Sequence, residues 1–246
     1  MTDTRRALCI GIESFNASGG DEADEPDLTA YGPLDYAPRY ARELQTVLTD
    51  AGYGTEVVID PAELTASRLG ERVERHLSGK GVAVLHILSH GDHTPDGGVY
   101  VVGSNAVRSR RTRIEDWRIA IADDPTAPVT LFLLDLCYAG AVNRYWRPPP
   151  AGAHEKAWVI AATGADKPAY AGRLTRATTA VITKITSGAL DLAPTVRTVT
   201  FDVLFERICR EVRTLALAED GHLQDPMATP VMGAQPELPF FLNPRY

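Results

Sequence analysis

VTLFLLDLCYAG, residues 129–140, is the stretch on which the reading of the fold turns. Its first half is a run of apolar side chains with no polar alternation, which suits a strand buried on both faces of a sheet. Asp135 and Cys137 interrupt the run where the strand should end. Residues two apart on a strand share a face, so an acid and a thiol are delivered to the same side of the sheet. VAVLHILSHG, residues 82–91, has the same character: an apolar core run, then Ser89, His90 and Gly91. AWVIAATG, residues 157–164, reads as a third core strand.

Working outward, strands and helices alternate. RALCIGI (6–12) and GTEVVID (54–60) read as strands, and GGVYVVGS (97–104) as part of a hairpin. Helical spacing of apolar residues predicts helices over 37–50, 62–78, 113–122, 173–187 and 200–218. LPFFL (238–242) is expected to form a last edge strand. This order predicts an α/β fold with a mainly parallel sheet. No repeat or long linker divides the chain, so residues 1–246 are expected to form a single domain.

Composition narrows the function. The chain has 246 residues with 44% hydrophobic and 23% charged, which is ordinary for a globular protein. A net charge of -7 argues against a protein that coats nucleic acid or an anionic membrane. No apolar run approaches the roughly 18 residues of a membrane span. Three scattered cysteines, Cys9, Cys137 and Cys209, do not make a disulfide framework, and a reducing cytoplasm is the expected compartment.

In open α/β sheets ligands bind beyond the carboxyl ends of the strands. That rule selects His90 with Gly91, and Asp135 with Cys137. Cys9 and Cys209 sit inside apolar patterns and read as core filler. Cys137 closes its strand and precedes the small residues Ala139 and Gly140, which leave room around its sulfur. A cysteine nucleophile needs an imidazole near it in space to take its proton, and neighbouring strands ending in His and Cys supply one. His90 lies 47 residues before Cys137, close to the spacing of roughly 50 in caspase-type peptidases.

Strand-SHG followed by strand-Asp-x-Cys-x-x-Gly resembles the caspase/metacaspase group of cysteine peptidases. The likeness runs through ALCIGIESF (7–15), LTDAGY (48–53) with TEVVID (55–60), GGVYVVGS, and WVIAATGADKPAY (158–170) leading into GRLTRATTAVI (172–182) through a Gly-x-x-Thr motif. The resemblance implies the caspase-haemoglobinase three-layer sandwich, a six-stranded mostly parallel sheet flanked by helices. It implies a cysteine endopeptidase in which Cys137 attacks the scissile carbonyl, His90 acts as general acid/base, and the backbone N–H groups of Gly91 and Cys137 form the oxyanion hole. Small bacterial members act in signalling, defence or regulated cell death, often under a regulatory partner, ligand or self-cleavage.

Asp135 needs a partner if it is buried. A structural hydrogen bond is one option; the floor of a pocket for a substrate Arg or Lys is the other. The metacaspase branch carries an acid at this place and cuts after Arg or Lys, so the resemblance implies cleavage of protein substrates after basic residues. Metacaspases carry a second pocket acid in a Cys-x-x-Asp pattern, and the matching positions are Ala37 and Tyr40. Asp35 is out of register, and Tyr40 is expected to stack on the substrate guanidinium. Arg144, Arg147 and Lys156 in RYWRPPPAGAHEK (144–156), and RSRRTR (108–113), are candidate self-cleavage sites or plain solvated loops. No cofactor is expected. Some metacaspases need calcium, but GGDEADEPD (19–27) lacks EF-hand spacing and Asp123-Asp124 is an isolated pair. Two alternatives stand beside the peptidase: a non-catalytic caspase-like docking module, and a metal site using His90 and His93 with His86.

Overall fold

Strand β3 (Val82–Leu88) is buried at every position and strand β6 (Val129–Asp135) at all but its first, and these two form the centre of the sheet. The computed structural model describes residues 4–16, 31–94, 97–145, 155–230 and 240–246, with side chains of the middle segment through residue 143. β1 (Arg5–Gly11) flanks β3, and β2 (Gly54–Val58) is one edge. On the other side β7 (Ala157–Ala161) flanks β6. These five strands are parallel. The two-residue β8 (Met227–Ala228) pairs antiparallel with β7 and completes a six-stranded sheet in the order β2-β1-β3-β6-β7-β8. β4 (Gly91–His93) and β5 (Val99–Val101) form a separate antiparallel pair just after β3.

Alternate side chains along the central strands feed two hydrophobic layers. Cys9, Val84, Leu133 and Ile160 meet α1 (Ala37–Asp50), α4 (Arg173–Thr186) and α5 (Phe201–Glu219). Ile10, Leu85, Phe132 and Val159 meet α2 (Ala66–Leu77) and α3 (Ile114–Asp123) on the opposite face. The helices are amphipathic in the required sense: α1 buries Ala37, Ala41, Leu44 and Leu48, a stripe at three-to-four spacing. The result is the expected three-layer α/β sandwich. Among the described residues no helix is long and apolar enough to cross a membrane.

One strand is misassigned by the sequence pattern. Leu238 and Pro239 lie outside the described residues, and the rest of LPFFL is not an edge strand of the sheet. Phe240 and Phe241 are both buried against the α1/α4/α5 layer, so the alternation of a strand is absent. The Phe240 carbonyl accepts from the Tyr53 hydroxyl at 2.5 Å and from the Arg5 guanidinium, and Leu242 makes a single bridge to Thr198. Apolar burial of adjacent rings outweighs β propensity here, and Met227–Ala228 takes the edge instead.

Candidate active site

Because β3 and β6 are neighbours in register, the segments that follow Leu88 and Asp135 leave the sheet side by side. They touch at Gly91. A Cβ there would lie 2.2 Å from the Cys137 carbonyl oxygen and 3.0 Å from the Leu136 Cβ, so only glycine allows this approach. The SHG and Asp-Leu-Cys segments, 47 residues apart in sequence, are thus in direct contact.

His90 is half-buried. Its Nε2 is 2.8 Å from the Gly32 carbonyl oxygen. A carbonyl only accepts, so Nε2 carries the hydrogen and Nδ1 is left as the ring's proton acceptor. Phe15 packs edge-on at 4.7 Å between ring centres and Tyr31 at 5.2 Å. The Tyr31 hydroxyl donates to Asp92 Oδ2 at 3.3 Å, and Arg108 donates to the same oxygen at 2.7 Å. Burial pulls the His90 pKa below its ordinary 6.5, partly offset by the bond to Gly32. Burial pushes the Cys137 thiol up from 9.0; the N–H of Ala169, donating to Sγ at 3.3 Å, opposes this, and the charge of Asp135 adds to it. At neutral pH the pair is therefore a neutral thiol and a neutral imidazole.

The chain turns sharply after the thiol. Tyr138 has φ +61°, left-handed for a residue with a Cβ. Its N–H donates to the Lys167 carbonyl at 3.1 Å, and its ring packs on His93 at 4.5 Å. Such strain persists only where surroundings hold it, and it is common beside reacting groups.

Asp135 is 2% exposed. Oδ2 accepts from the backbone N–H and the hydroxyl of Thr175, both at 2.8 Å. Thr175 lies in the first turn of α4, where backbone N–H groups lack helical partners, so the acid caps the helix. Oδ1 is buried with no partner among the described residues. Burial pushes the carboxyl up to about 6, against the two Thr175 bonds. Gly172 precedes the helix with φ +66°, and a Cβ there would sit 2.7 Å from the Tyr40 ring. The Gly-x-x-Thr motif thus has two physical jobs: close approach to α1, and a grip on Asp135.

Tyr40 lies beside this corner, 5.6 Å from the Tyr36 ring. Its face already meets two of the chain's own guanidinium groups, Arg39 at 4.5 Å and Arg176 at 5.6 Å. Tyr36 is the aromatic that senses the site: burial first, then the charges of Asp135, Cys137 and Tyr40, push its hydroxyl up to about 12. Tyr36 precedes α1 and so carries no helix-face signal of its own. The i, i+4 spacing with Tyr40 was the available signal. The Ala169 N–H and the Gly32 carbonyl are backbone groups and leave no mark in a sequence.

Arg147 and GGDEADEPD lie outside the described residues, as does the Arg144 side chain. Lys156 donates to the carbonyls of Asp124 and Pro125. The basic run 108–113 is tied down by acids: Arg108 to Asp92, Arg111 to Glu71, and Arg113 to Glu115. The three histidines turn to different partners, His86 to Thr175, His90 to Gly32 and His93 to Tyr138. Among the described residues no group of three His, Cys, Asp or Glu side chains is arranged to hold a metal ion.

A caspase-domain family model matches residues 4–233. Solved structures similar to this chain include caspase-1 from Spodoptera frugiperda, with 15% identity, a TM-score of 0.58, and 93% of this chain and 88% of that chain covered. A protein from Geobacter sulfurreducens aligns with 12% identity and a TM-score of 0.57, covering 97% of this chain and 99% of that one. No curated protein sequence matches the chain.

Proposed function

The chain belongs to the caspase-domain family of cysteine peptidases, and on that footing we propose that it is an endopeptidase that cuts protein substrates after arginine or lysine. The observation that supports the specificity is Asp135: a buried carboxylate beside the proposed nucleophile, with one oxygen held by Thr175 and the other without a partner among the described residues. A buried acid left half-satisfied is costly, and an incoming guanidinium would satisfy it.

In this reading His90 Nδ1 takes the proton from Cys137 Sγ as the sulfur attacks the scissile carbonyl carbon. The new C–S bond places negative charge on the carbonyl oxygen. The N–H groups of Gly91 and Cys137 receive it, and one such donor is worth about 3 kcal/mol of barrier. As the oxyanion collapses the C–N bond breaks, and His90 returns its proton to the leaving amine. Water, deprotonated by His90, then attacks the thioester, releasing the acid and restoring the thiol. The neutral resting pair fits this order, because proton transfer accompanies attack. The bond from Nε2 to Gly32 holds the imidazole in the tautomer needed.

Peptides ending in Arg, Lys, Asp or citrulline before a fluorogenic amine test the reading. Citrulline has the shape of arginine without its charge. Cleavage after Arg and Lys, lost in Cys137→Ala, is expected. Failure to cleave any of them, with regulators supplied, would leave the docking-module alternative. Cleavage after Asp but not Arg would overturn the role of Asp135.

A further inference from the structure

We propose that His86 is a positioning residue for substrate recognition, acting on Asp135 through the hydroxyl of Thr175; this rests on the reading of Asp135 as the acid that receives the basic side chain. His86 lies in the middle of β3, 1% exposed, in register with Leu133 of β6, while Asp135 is in register with Leu88. His86 and Asp135 therefore project from the same face of the sheet, one strand apart, into the layer beneath α4. Thr175 bridges them. Its Oγ1 is 2.8 Å from Asp135 Oδ2 and 2.9 Å from His86 Nε2.

The direction of the chain follows from counting protons. The hydroxyl has one hydrogen. An ionised carboxylate only accepts, so that hydrogen goes to Asp135. The second contact must then be a donation from His86 Nε2–H to the hydroxyl oxygen. Two donors in series point at the acid, and the first polarises the second. The threonine rotor, free in principle to turn to the helix carbonyls as serines and threonines do in helices, is thereby locked. Asp135 is held by Oδ2, which leaves Oδ1, buried and without a partner among the described residues, as the uncommitted acceptor.

A purely structural role does not explain a histidine at this place. His86 Nδ1 is buried without a partner among the described residues, which costs stability. Its neighbours on the same face of β3 are Val84 and Leu88, and a leucine or phenylalanine would fill the space without an orphan nitrogen. Burial pushes the imidazole down to about 3, so it stays neutral and serves as a donor of fixed sense at any working pH. Among the described residues, the contact that repays a polar ring here is the one to Thr175.

The test compares kcat and KM for matched peptides with arginine or citrulline before the cut. His86→Phe keeps the ring and removes the donor; His86→Gln keeps a donor at similar reach. His86→Phe is expected to lower the arginine-over-citrulline preference by about tenfold, largely through KM, with citrulline turnover unchanged. His86→Gln should restore most of the preference. Thr175→Val against Thr175→Ser repeats the comparison one link along, should His86→Phe fail to fold. The proposal falls if folded His86→Phe keeps the wild-type preference, or if it loses arginine and citrulline turnover equally. Should the wild type show no preference for arginine over citrulline, the reading of Asp135 falls and this proposal with it.

Discussion

Two buried charges sit at the start of α4 and are treated in opposite ways. Arg173, its first residue, has a side chain only 1% exposed. Every direction of its guanidinium is used: Nε donates to Glu219 at 2.9 Å, Nη2 to Asp220 at 2.6 Å and Nη1 to the His222 carbonyl at 2.7 Å, with the Tyr170 ring below at 5.2 Å. Asp135, gripped by the same turn of helix, has one oxygen held twice and the other without a partner among the described residues. The first charge is an internal clasp between α4 and the end of α5. The second keeps a buried acceptor that no group among the described residues satisfies. A fold satisfies the charges it uses for itself; a charge left incomplete is a seat for something else.

The comparison can be broken most severely at the thiol next to the incomplete charge. Cys137→Ala removes the proposed nucleophile and is expected to lower kcat by about 10⁴-fold or more, with an unfolding midpoint close to wild type. A large loss of stability instead would mean that the sulfur's role is structural.

Asp135→Asn should separate function from stability. Arginine cleavage is expected to fall by about 10²-fold, the usual cost of removing one partner from a desolvated ion pair. Stability should move the other way. The folded carboxyl titrates at about 6 against an ordinary 3.8, so above pH 6 its ionised form costs about 3 kcal/mol relative to the unfolded chain. The amide keeps an acceptor for Thr175 and carries no charge. At pH 7 the thermal midpoint should rise by several degrees, measured by calorimetry beside the peptide assay. A lower midpoint would mean that Asp135 is itself a structural clasp.

Arg173→Met should do the reverse. Losing charge-assisted bonds to two acids and a carbonyl is expected to cost about 3 kcal/mol and lower the midpoint by roughly 10 °C. Below that midpoint the arginine-over-citrulline preference should be kept. A variant that unfolds early and also loses the preference would show that the clasp and the pocket are one unit.

How far the sequence speaks for these features depends on what each residue announces. β3 and β6 are legible because seven-residue apolar strands have few other uses, and His90 and Cys137 because reactive side chains end them. The contact between their segments rests on Gly91, whose meaning appears only when the Cys137 carbonyl is found against it. Thr175 was visible as part of a motif, but its bonds to Asp135 and His86 depend on how α4 lies over the sheet. His86 is hidden in the run VAVLHIL, where a buried histidine is indistinguishable from a core residue with a local bond. LPFFL misleads because burial of two adjacent rings and strand formation share one composition. Register points to Tyr40, whereas Tyr36, one turn earlier, lies within electrostatic reach of Asp135 and Cys137.

Acid offers the gentlest way to sharpen the contrast, since the two clusters respond with opposite sign. Glu219 and Asp220 are held below their ordinary 4.5 and 3.8, first by hydrogen bonds from Arg176 and Arg173 respectively. Their contribution is present above those ordinary values and lost as pH falls through the depressed ones. Asp135 is raised, so its ionised form burdens the fold above about 6, and the burden lifts as pH falls from there toward 3.8. His76 and His86, pushed down by burial to about 4 and about 3, weaken the fold below pH 6.5 in any variant. The difference between wild type and Asp135→Asn cancels them. That difference in stability should be largest at pH 7 and close as pH approaches 4. The arginine-over-citrulline preference of the wild type should fall over the same interval, by up to tenfold per unit below about pH 6, because protonation removes the charge proposed to attract the guanidinium. Using the ratio cancels the protonation of His90, which slows both substrates alike. A stability difference that does not change with pH would place the titration elsewhere. A preference that persists at pH 4.5 would mean that shape alone, without the Asp135 charge, selects arginine.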